Sequence, residues 1–427
     1  MQQAITGFAR GPAALIALWL LFLVPRVLVL LLDVVPTSDA DWYFTRAVLL
    51  ARGEGYLSSE GLPTAYWPVG WPMMMSLAMR ALGENVLAVG LINLVAAALS
   101  AWLLLDLGRR IFGGELAGRI ALLLYAIYPN AIGYVPLALT EVFYTALLLA
   151  ICWLLVARQG WAAGIAAGLL LGLASLVKAQ TLVVLPLILG IGLLRQSADW
   201  RDLLRRLPRT LGLFAAILAV AAAAIAPWSL RNQRELGQLV AVSTNGGITL
   251  LTGNNPTAIG SYSEADPLVQ TLYARKLPEL ERDAEAKRLG MAWIAANPAR
   301  FAALMPQKAF RLWGADGEAQ WAYETGWAAY ADHAGAMRAL RLANQAYYFG
   351  LLALFLIAGG IMLKRRLGAG EPVFDWWLLP YGIAAYPTAI AVVFSGQSRF
   401  HYPVMPFVCM AAAWLLADWL TRKTRHA

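Results

Sequence analysis

The chain has 427 residues, 60% of them hydrophobic and only 14% charged, and its mean hydropathy is +0.60. Those values exclude a soluble globule and describe a polytopic membrane protein. The net charge of +9 is no nucleic-acid signal, because the basic residues sit in short clusters between apolar runs, the pattern that fixes membrane orientation.

Seventeen Trp and sixteen Tyr suit a chain that crosses the membrane–water boundary many times. The two cysteines, Cys152 and Cys409, each lie inside an apolar run and form neither a CxxC nor a metal-ligand spacing, so no disulfide framework is indicated. Arg10 precedes the first apolar run, 13–35, and no small-residue cleavage site follows it. That run reads as an uncleaved anchor.

A span needs about 20 apolar residues, fewer where neighbouring helices bury a short one. On that scale about ten spans are expected: 13–35, 84–105, 119–136, 141–157, 161–177, 179–194, 210–228, 343–363, 374–394 and 403–420. Spans five and six could equally be a hairpin that does not fully cross. Basic clusters at Arg109–Arg110, Arg195–Arg209, Lys364–Arg366 and Arg422–Lys423 alternate with turns carrying only Lys178 and Arg399. This bias puts both chain ends inside.

Two regions are then left outside, 36–83 and 229–342. They divide the chain into an N-terminal transmembrane module (1–228), an outer insertion (229–342) and C-terminal helices (343–427). In the first, Asp41, Trp42, Tyr43, Arg46, Ala47 and Leu50 recur at helical spacing, which predicts an amphipathic helix lying on the membrane. Trp71 to Leu82 predicts a second one, with Met73, Met74, Leu77 and Ala78 on one face. The insertion opens Gly-rich, which predicts turns and short strands, and becomes helical from about Pro267. Asn297-Pro298 predicts the start of a helix running to Trp313.

Ionisable groups near hydrocarbon are costly and usually functional. Asp39 and Asp41 follow the first span directly, and Glu141 opens the fourth. Lys178 occupies the tight turn between two apolar runs, Arg231 follows the seventh, and Arg399 and His401 precede the last. Each has a plainer reading. Asp39 and Glu141 could cap helices, Lys178 and Arg399 could snorkel to headgroups, and His401 suits a structural role among aromatics. Arg26, inside the first span, is expected to face other helices and pair with a carboxylate. No HExxH, P-loop or nucleophile elbow is present.

Several local patterns recur along the chain in a definite order. They are Asp39-Ala-Asp-Trp-Tyr43 with Gly55-Tyr56, Trp67-Pro-Val-Gly-Trp-Pro72, Thr140-Glu141, and Lys178 before a run ending at Pro186. Then come Pro227-Trp-Ser-Leu-Arg231-Asn232, Gly253-Asn254-Asn255-Pro256 and Arg399-Phe-His-Tyr-Pro403. Together they make the chain resemble the polyprenyl-phosphate-sugar-dependent glycosyltransferases of the C-type fold, which include protein O-mannosyltransferases and the aminoarabinose transferases of lipid A. The family often has Asp-Glu where this chain has Asp39-Ala40, and its longer members have a larger outer C-terminal region.

The resemblance implies an all-α polytopic fold with interfacial helices in the first outer loop. It implies a donor sugar on a membrane-embedded polyprenyl phosphate and an acceptor that is a lipid, a glycan or a protein. Asp39 would be the general base of an inverting displacement, and Lys178, Arg231 and Arg399 would hold the donor phosphate. Glu141 and Asp41 could bind sugar hydroxyls, orient Asp39 or hold a divalent ion such as magnesium or manganese. Tyr43, Tyr66, Trp67, Asn254, Asn255 and His401 are candidate substrate contacts, although the two asparagines also suit a turn. The setting implied is a bacterial inner membrane, with membrane lipids as neighbours and the site on the outer side.

A flippase for lipid-linked sugar would share the many spans and the cations at headgroup depth. No inverted repeat or matched pair of broken helices supports it. A glycan ligase or polymerase would differ only in the size of the donor.

Overall fold

The structure, a computed structural model, describes residues 7–8, 10–158 and 160–425. In chain order its helices are α1 (Pro12–Val29), α2 (Asp39–Arg52), α3 (Gly70–Leu82), α4 (Val86–Phe112), α5 (Glu115–Ala126), α6 (Pro129–Gly133), α7 (Glu141–Ala157), α8 (Trp161–Ser175) and α9 (Val184–Gln196). There follow α10 (Trp200–Leu236), α11 (Gly246–Gly253), α12 (Pro267–Ala274), α13 (Glu279–Ala296), α14 (Pro298–Trp313), α15 (Glu318–Gly326), α16 (Ala334–Ala369), α17 (Leu379–Val393) and α18 (Met405–Arg425). Short 3-10 turns run Ala179–Val183, Ala328–His333, Trp376–Leu378 and Ser398–Val404. Among the described residues no strand forms, only two isolated bridges.

Among the described residues, seven helical stretches are long and apolar enough to cross a membrane, and α7 and α8 are shorter apolar helices. The span expected at 119–136 is the 12-residue α5 followed by the single turn of α6. Helix α10 continues beyond 228 to Leu236, so the bundle passes into the insertion without a break.

Glycine sets the contact between α8 and α10. A Cβ on Gly168 of α8 would lie 2.8 Å from the Ile217 carbonyl oxygen of α10, and one on Gly172 would lie 2.7 Å from the Ala224 Cβ. Small residues at this four-residue interval let two backbones approach where lipid supplies no hydrophobic drive for association.

Arg26 is fully buried. Its guanidinium donates to the carbonyls of Phe22 at 2.9 Å, Ala126 at 3.1 Å and Tyr125 at 3.0 Å, and it stacks on the Phe22 ring. Its partners are therefore the free carbonyls at the end of α5 and not the expected carboxylate. A helix C-terminus offers unpaired acceptors and partial negative charge, which sequence spacing does not reveal.

Of the turns and short strands expected at the start of the insertion, the turns appear after Gly253, no strand forms among the described residues, and Gly246–Gly253 is instead the helix α11. The Asp283 carboxylate of α13 accepts from the Gly247 and Ile248 amides at 2.7 and 3.2 Å, capping a helix start that Gly246-Gly247 would otherwise leave unstable. The helix expected from Asn297-Pro298 runs Pro298–Trp313.

Candidate active site

The Trp67–Pro72 segment brings the site elements together. Gly70 donates its amide to the Leu176 carbonyl at 2.7 Å, and any Cβ there would strike that same oxygen. Trp71 Nε1 donates to the Ala138 carbonyl at 3.0 Å. One contact fixes the turn that ends in Lys178, the other the loop that leads to Glu141. Asn93 of α4 holds that loop from behind, donating to Val135 and Leu137 at 3.1 and 2.9 Å.

Ser38 enters α2 with φ +52°, a conformation that L-residues rarely adopt, and so presents Asp39 as the first helical residue. The 3-10 turn Ser398–Val404 brings Arg399 opposite.

These elements enclose a cavity of ≈ 1060 Å³. Two acid–cation pairs face it. Arg399 Nη2 lies 2.5 Å from Asp39 Oδ2, and Lys178 Nζ lies 3.1 Å from Glu141 Oε1. The side chains of Glu141 and Lys178 are 2% and 12% exposed, and those of Arg399 and Asp39 are 18% and 26% exposed, so the second pair is nearer water. Both cations flank the Phe400 ring, at 5.1 and 5.3 Å from its centroid. Glu141 Oε2 is buried without a hydrogen-bond partner among the described residues.

The bundle contributes an apolar lining, Tyr144 and Leu148 of α7 and Tyr386 and Ile390 of α17, together with Phe394 and Val404. The insertion contributes a polar one, Ser243, Asn245, Thr249, Glu264, Glu318 and Arg341, and Tyr66, Trp67, Tyr262 and Trp321 line the cavity as well. Tyr43 and Tyr66 stand against Trp67, with ring centroids 4.9 and 5.8 Å from it. Burial, with the Asp39 charge adding to it, pushes the Tyr43 phenol well above its ordinary range, so it remains a neutral hydroxyl. Burial pulls the Lys178 ammonium below its ordinary value while Glu141 opposes the shift.

Of the residues singled out in the sequence, Asp39, Glu141, Lys178, Arg399, Tyr43, Tyr66 and Trp67 line this cavity. Five others lie off it. Asp41 points away and is exposed, 3.5 Å from the Thr45 hydroxyl. Arg231 donates to the carbonyls of Thr64 at 2.7 Å and Tyr56 at 2.9 Å, fastening α10 to the first loop. Asn254 and Asn255 are buried and donate to carbonyls in the preceding turn of α11, a capping geometry. His401 is buried between the Trp313 and Tyr348 rings and contacts the Leu312 carbonyl and Asp316.

The sequence reading did not single out Glu318, Glu264 or Tyr262. Glu318 accepts from the Ser398 hydroxyl at 3.2 Å, and Glu264 accepts from the Tyr262 hydroxyl at 2.5 Å. Tyr262 and Glu264 come from a loop of the insertion and Glu318 opens α15, none of them with a spacing signal of its own.

Among the described residues no group of three or more His, Cys, Asp or Glu is placed to hold a metal ion. Of the two acids offered to a divalent ion, Asp41 lies off the cavity and Glu141 already engages Lys178. This donor set does not fit a resident metal.

Residues 67–228 match the family model of dolichyl-phosphate-mannose-protein mannosyltransferases. That stretch contains Trp67, Glu141 and Lys178 but neither Asp39 nor Arg399. No curated protein matches the sequence. Among solved structures, the Archaeoglobus fulgidus oligosaccharyltransferase in complex with Zn and sulfate is similar over 96% of this chain and 49% of its own, with TM-score 0.55 and 16% identity. The archaeal oligosaccharyltransferase AglB from Archaeoglobus fulgidus, in complex with an inhibitory peptide and a dolichol-phosphate, is similar over 95% and 50%, with TM-score 0.53 and 14% identity. ArnT from Cupriavidus metallidurans bound to undecaprenyl phosphate covers 97% and 79%, with TM-score 0.47 and 15% identity. The chain thus has the C-type glycosyltransferase fold and spans about half the length of the archaeal enzyme.

Proposed function

We propose that this chain is a membrane glycosyltransferase that moves a sugar from a polyprenyl phosphate to a hydroxyl acceptor, with inversion at the anomeric carbon. One observation carries the reading: two acid–cation pairs face a single cavity whose lining is apolar from the bundle and polar from the insertion. A prenyl chain suits the apolar lining and its phosphate suits the two cations. The polar lining suits a sugar and an acceptor. The family description over 67–228 and the dolichol-phosphate bound by the archaeal protein of like fold agree with such a donor.

In the reaction the acceptor oxygen attacks the anomeric carbon as the bond to the phosphate oxygen breaks. The hydroxyl proton passes to a carboxylate of Asp39, and the polyprenyl phosphate leaves with the bonding electrons. Lys178 and Arg399 stabilise charge growing on the leaving oxygen. Glu141 holds Lys178 in place, and its second oxygen is available to a sugar hydroxyl. Segments 1–228 and 343–427 supply the donor groove, and 229–342 supplies the acceptor side. The basic clusters favour a site on the outer face of a bacterial inner membrane.

The test uses the purified protein in lipid with a polyprenyl-phosphate sugar and candidate acceptors. Release of polyprenyl phosphate coupled to glycosylated acceptor supports the reading. Passage of intact donor between leaflets with no sugar transferred overturns it in favour of a flippase.

A further inference from the structure

Arg399 sits in a segment held at both ends by one helix of the insertion. Helix α14 buries three residues of one face, Leu304, Lys308 and Leu312. Lys308 is fully buried, and its ammonium donates to Asn254 Oδ1 at 2.7 Å and to the Val393 carbonyl, the last of α17, at 3.1 Å. Asn254 donates to that same carbonyl at 3.0 Å. The only ring near the ammonium is Phe301, 5.1 Å away, and among the described residues Lys308 has no acidic partner.

Beyond this anchor the chain from Phe394 to Gln397 lies directly on the insertion. A Cβ on Gly396 would fall 1.9 Å from the Lys308 carbonyl oxygen, and one on Gly253 would fall 1.9 Å from that of Phe394. Gly396 also donates its amide to the Gly260 carbonyl at 2.9 Å. At the far end, His401 Nδ1 meets the Leu312 carbonyl at 2.6 Å and its Nε2 meets Asp316 at 3.1 Å. Asp316 also accepts from Tyr128 and Asn130, next to the end of α5, and from Asn344 of α16.

We propose that α14 is a splint for the donor-phosphate cation: Lys308 and Asp316 are positioning residues that fix the two ends of the Val393–His401 segment and so aim Arg399 across the cavity at Asp39. A buried polar group left unpaired is expensive, so these anchors define one geometry and resist slippage. The Gly253-Asn254-Asn255-Pro256 segment thereby acquires a role that is neither sugar contact nor plain turn. Gly253 lets Phe394 approach, and Asn254 shares its carbonyl acceptor with Lys308. This splint acts through Arg399, so its ligand-binding consequence rests on the proposed donor chemistry. Its structural consequence does not.

The experiment has two arms on the full-length protein in lipid. Amide hydrogen exchange is followed over residues 394–400 in wild type, K308M and D316N. The splint requires exchange there to rise by about tenfold or more in either variant, with α7 and α10 unchanged. Unchanged protection over 394–400 in both variants overturns the proposal, whether or not any sugar transfer is found. D316N is isosteric and keeps the test open if K308M does not fold.

In the second arm, binding of polyprenyl phosphate is measured in K308M, R399Q and the double variant. K308M weakens binding about tenfold alone and adds less than about twofold on the R399Q background, because its effect runs through that arginine. Full additivity means that Lys308 acts on the fold at large and removes it as a positioning residue. If polyprenyl phosphate does not bind wild type at all, the functional reading fails while the exchange result still stands.

Discussion

Arg399 covers Asp39: its Nη2 approaches Oδ2 to 2.5 Å, so the carboxylate proposed as proton acceptor is already engaged by a cation. Arg399 Nε meanwhile bonds Gln397 Oε1 at 3.0 Å. A donor phosphate brings more negative charge than one carboxylate and competes for the same guanidinium. On the proposed function, donor binding would therefore free Asp39 before the acceptor binds. A non-reactive acceptor analogue should inhibit uncompetitively against donor, and a noncompetitive pattern would reject this order.

Asp39→Asn keeps the shape and removes the proton acceptor. Release of polyprenyl phosphate coupled to transfer should fall by roughly 10²–10⁴-fold, the usual worth of a general base, with donor affinity held within about threefold. Full turnover in this variant would dismiss Asp39 from the chemistry.

Lys178 and Glu141 form the more buried pair. Lys178→Met alone leaves an uncompensated carboxylate and should cost roughly 3–5 kcal/mol of stability, read as a lower melting temperature in lipid. Adding Glu141→Gln should restore most of that stability. Donor binding should not return, since the cation is still missing. Recovery of both together would make the pair purely structural.

Ile390 belongs to the apolar lining of the cavity, and Ile390→Trp should shorten the space left for a prenyl chain. Each buried methylene is worth about 0.8 kcal/mol, so a long-chain donor should lose tenfold or more in affinity while a short-chain donor changes little. Equal loss for both chain lengths would place the prenyl group elsewhere.

Burial holds the Lys308 ammonium below its ordinary 10.5, at about 8. The unfolded chain therefore binds more protons than the folded one between pH 8 and 10.5, and stability gains from this residue as pH rises through that window. The melting temperature of wild type relative to K308M should climb from pH 8 to 10.5 and be flat below pH 7. A fall across that range would contradict a desolvated ammonium.

The sequence made the membrane-embedded part legible because apolar run length and basic clusters are one-dimensional signals. Asp39, Glu141, Lys178 and Arg399 were visible because each is a charge stranded at the edge of such a run. Features that depend on distant partners were not visible. Helix α11 needs the Asp283 cap from α13, and Arg26 needs carbonyls at the end of α5. Arg231 looks like Lys178 on paper, yet the carbonyls that claim it lie in the first loop. Tyr262 comes from a loop where no periodicity operates, and Glu318 opens the short α15, whose place beside the cavity depends on distant partners.

The debt carried by Arg26 has a temporal side. Two of its three acceptors lie 99 and 100 residues further along the chain, at the end of α5 and beyond the whole of α4. During synthesis the first hydrophobic helix carries in its last turn a guanidinium that, of its three final acceptors, has only the Phe22 carbonyl of its own helix to serve it. Its final seat thus has to wait for α5, and a ribosome-stalled fragment ending before residue 125 should leave that helix extractable.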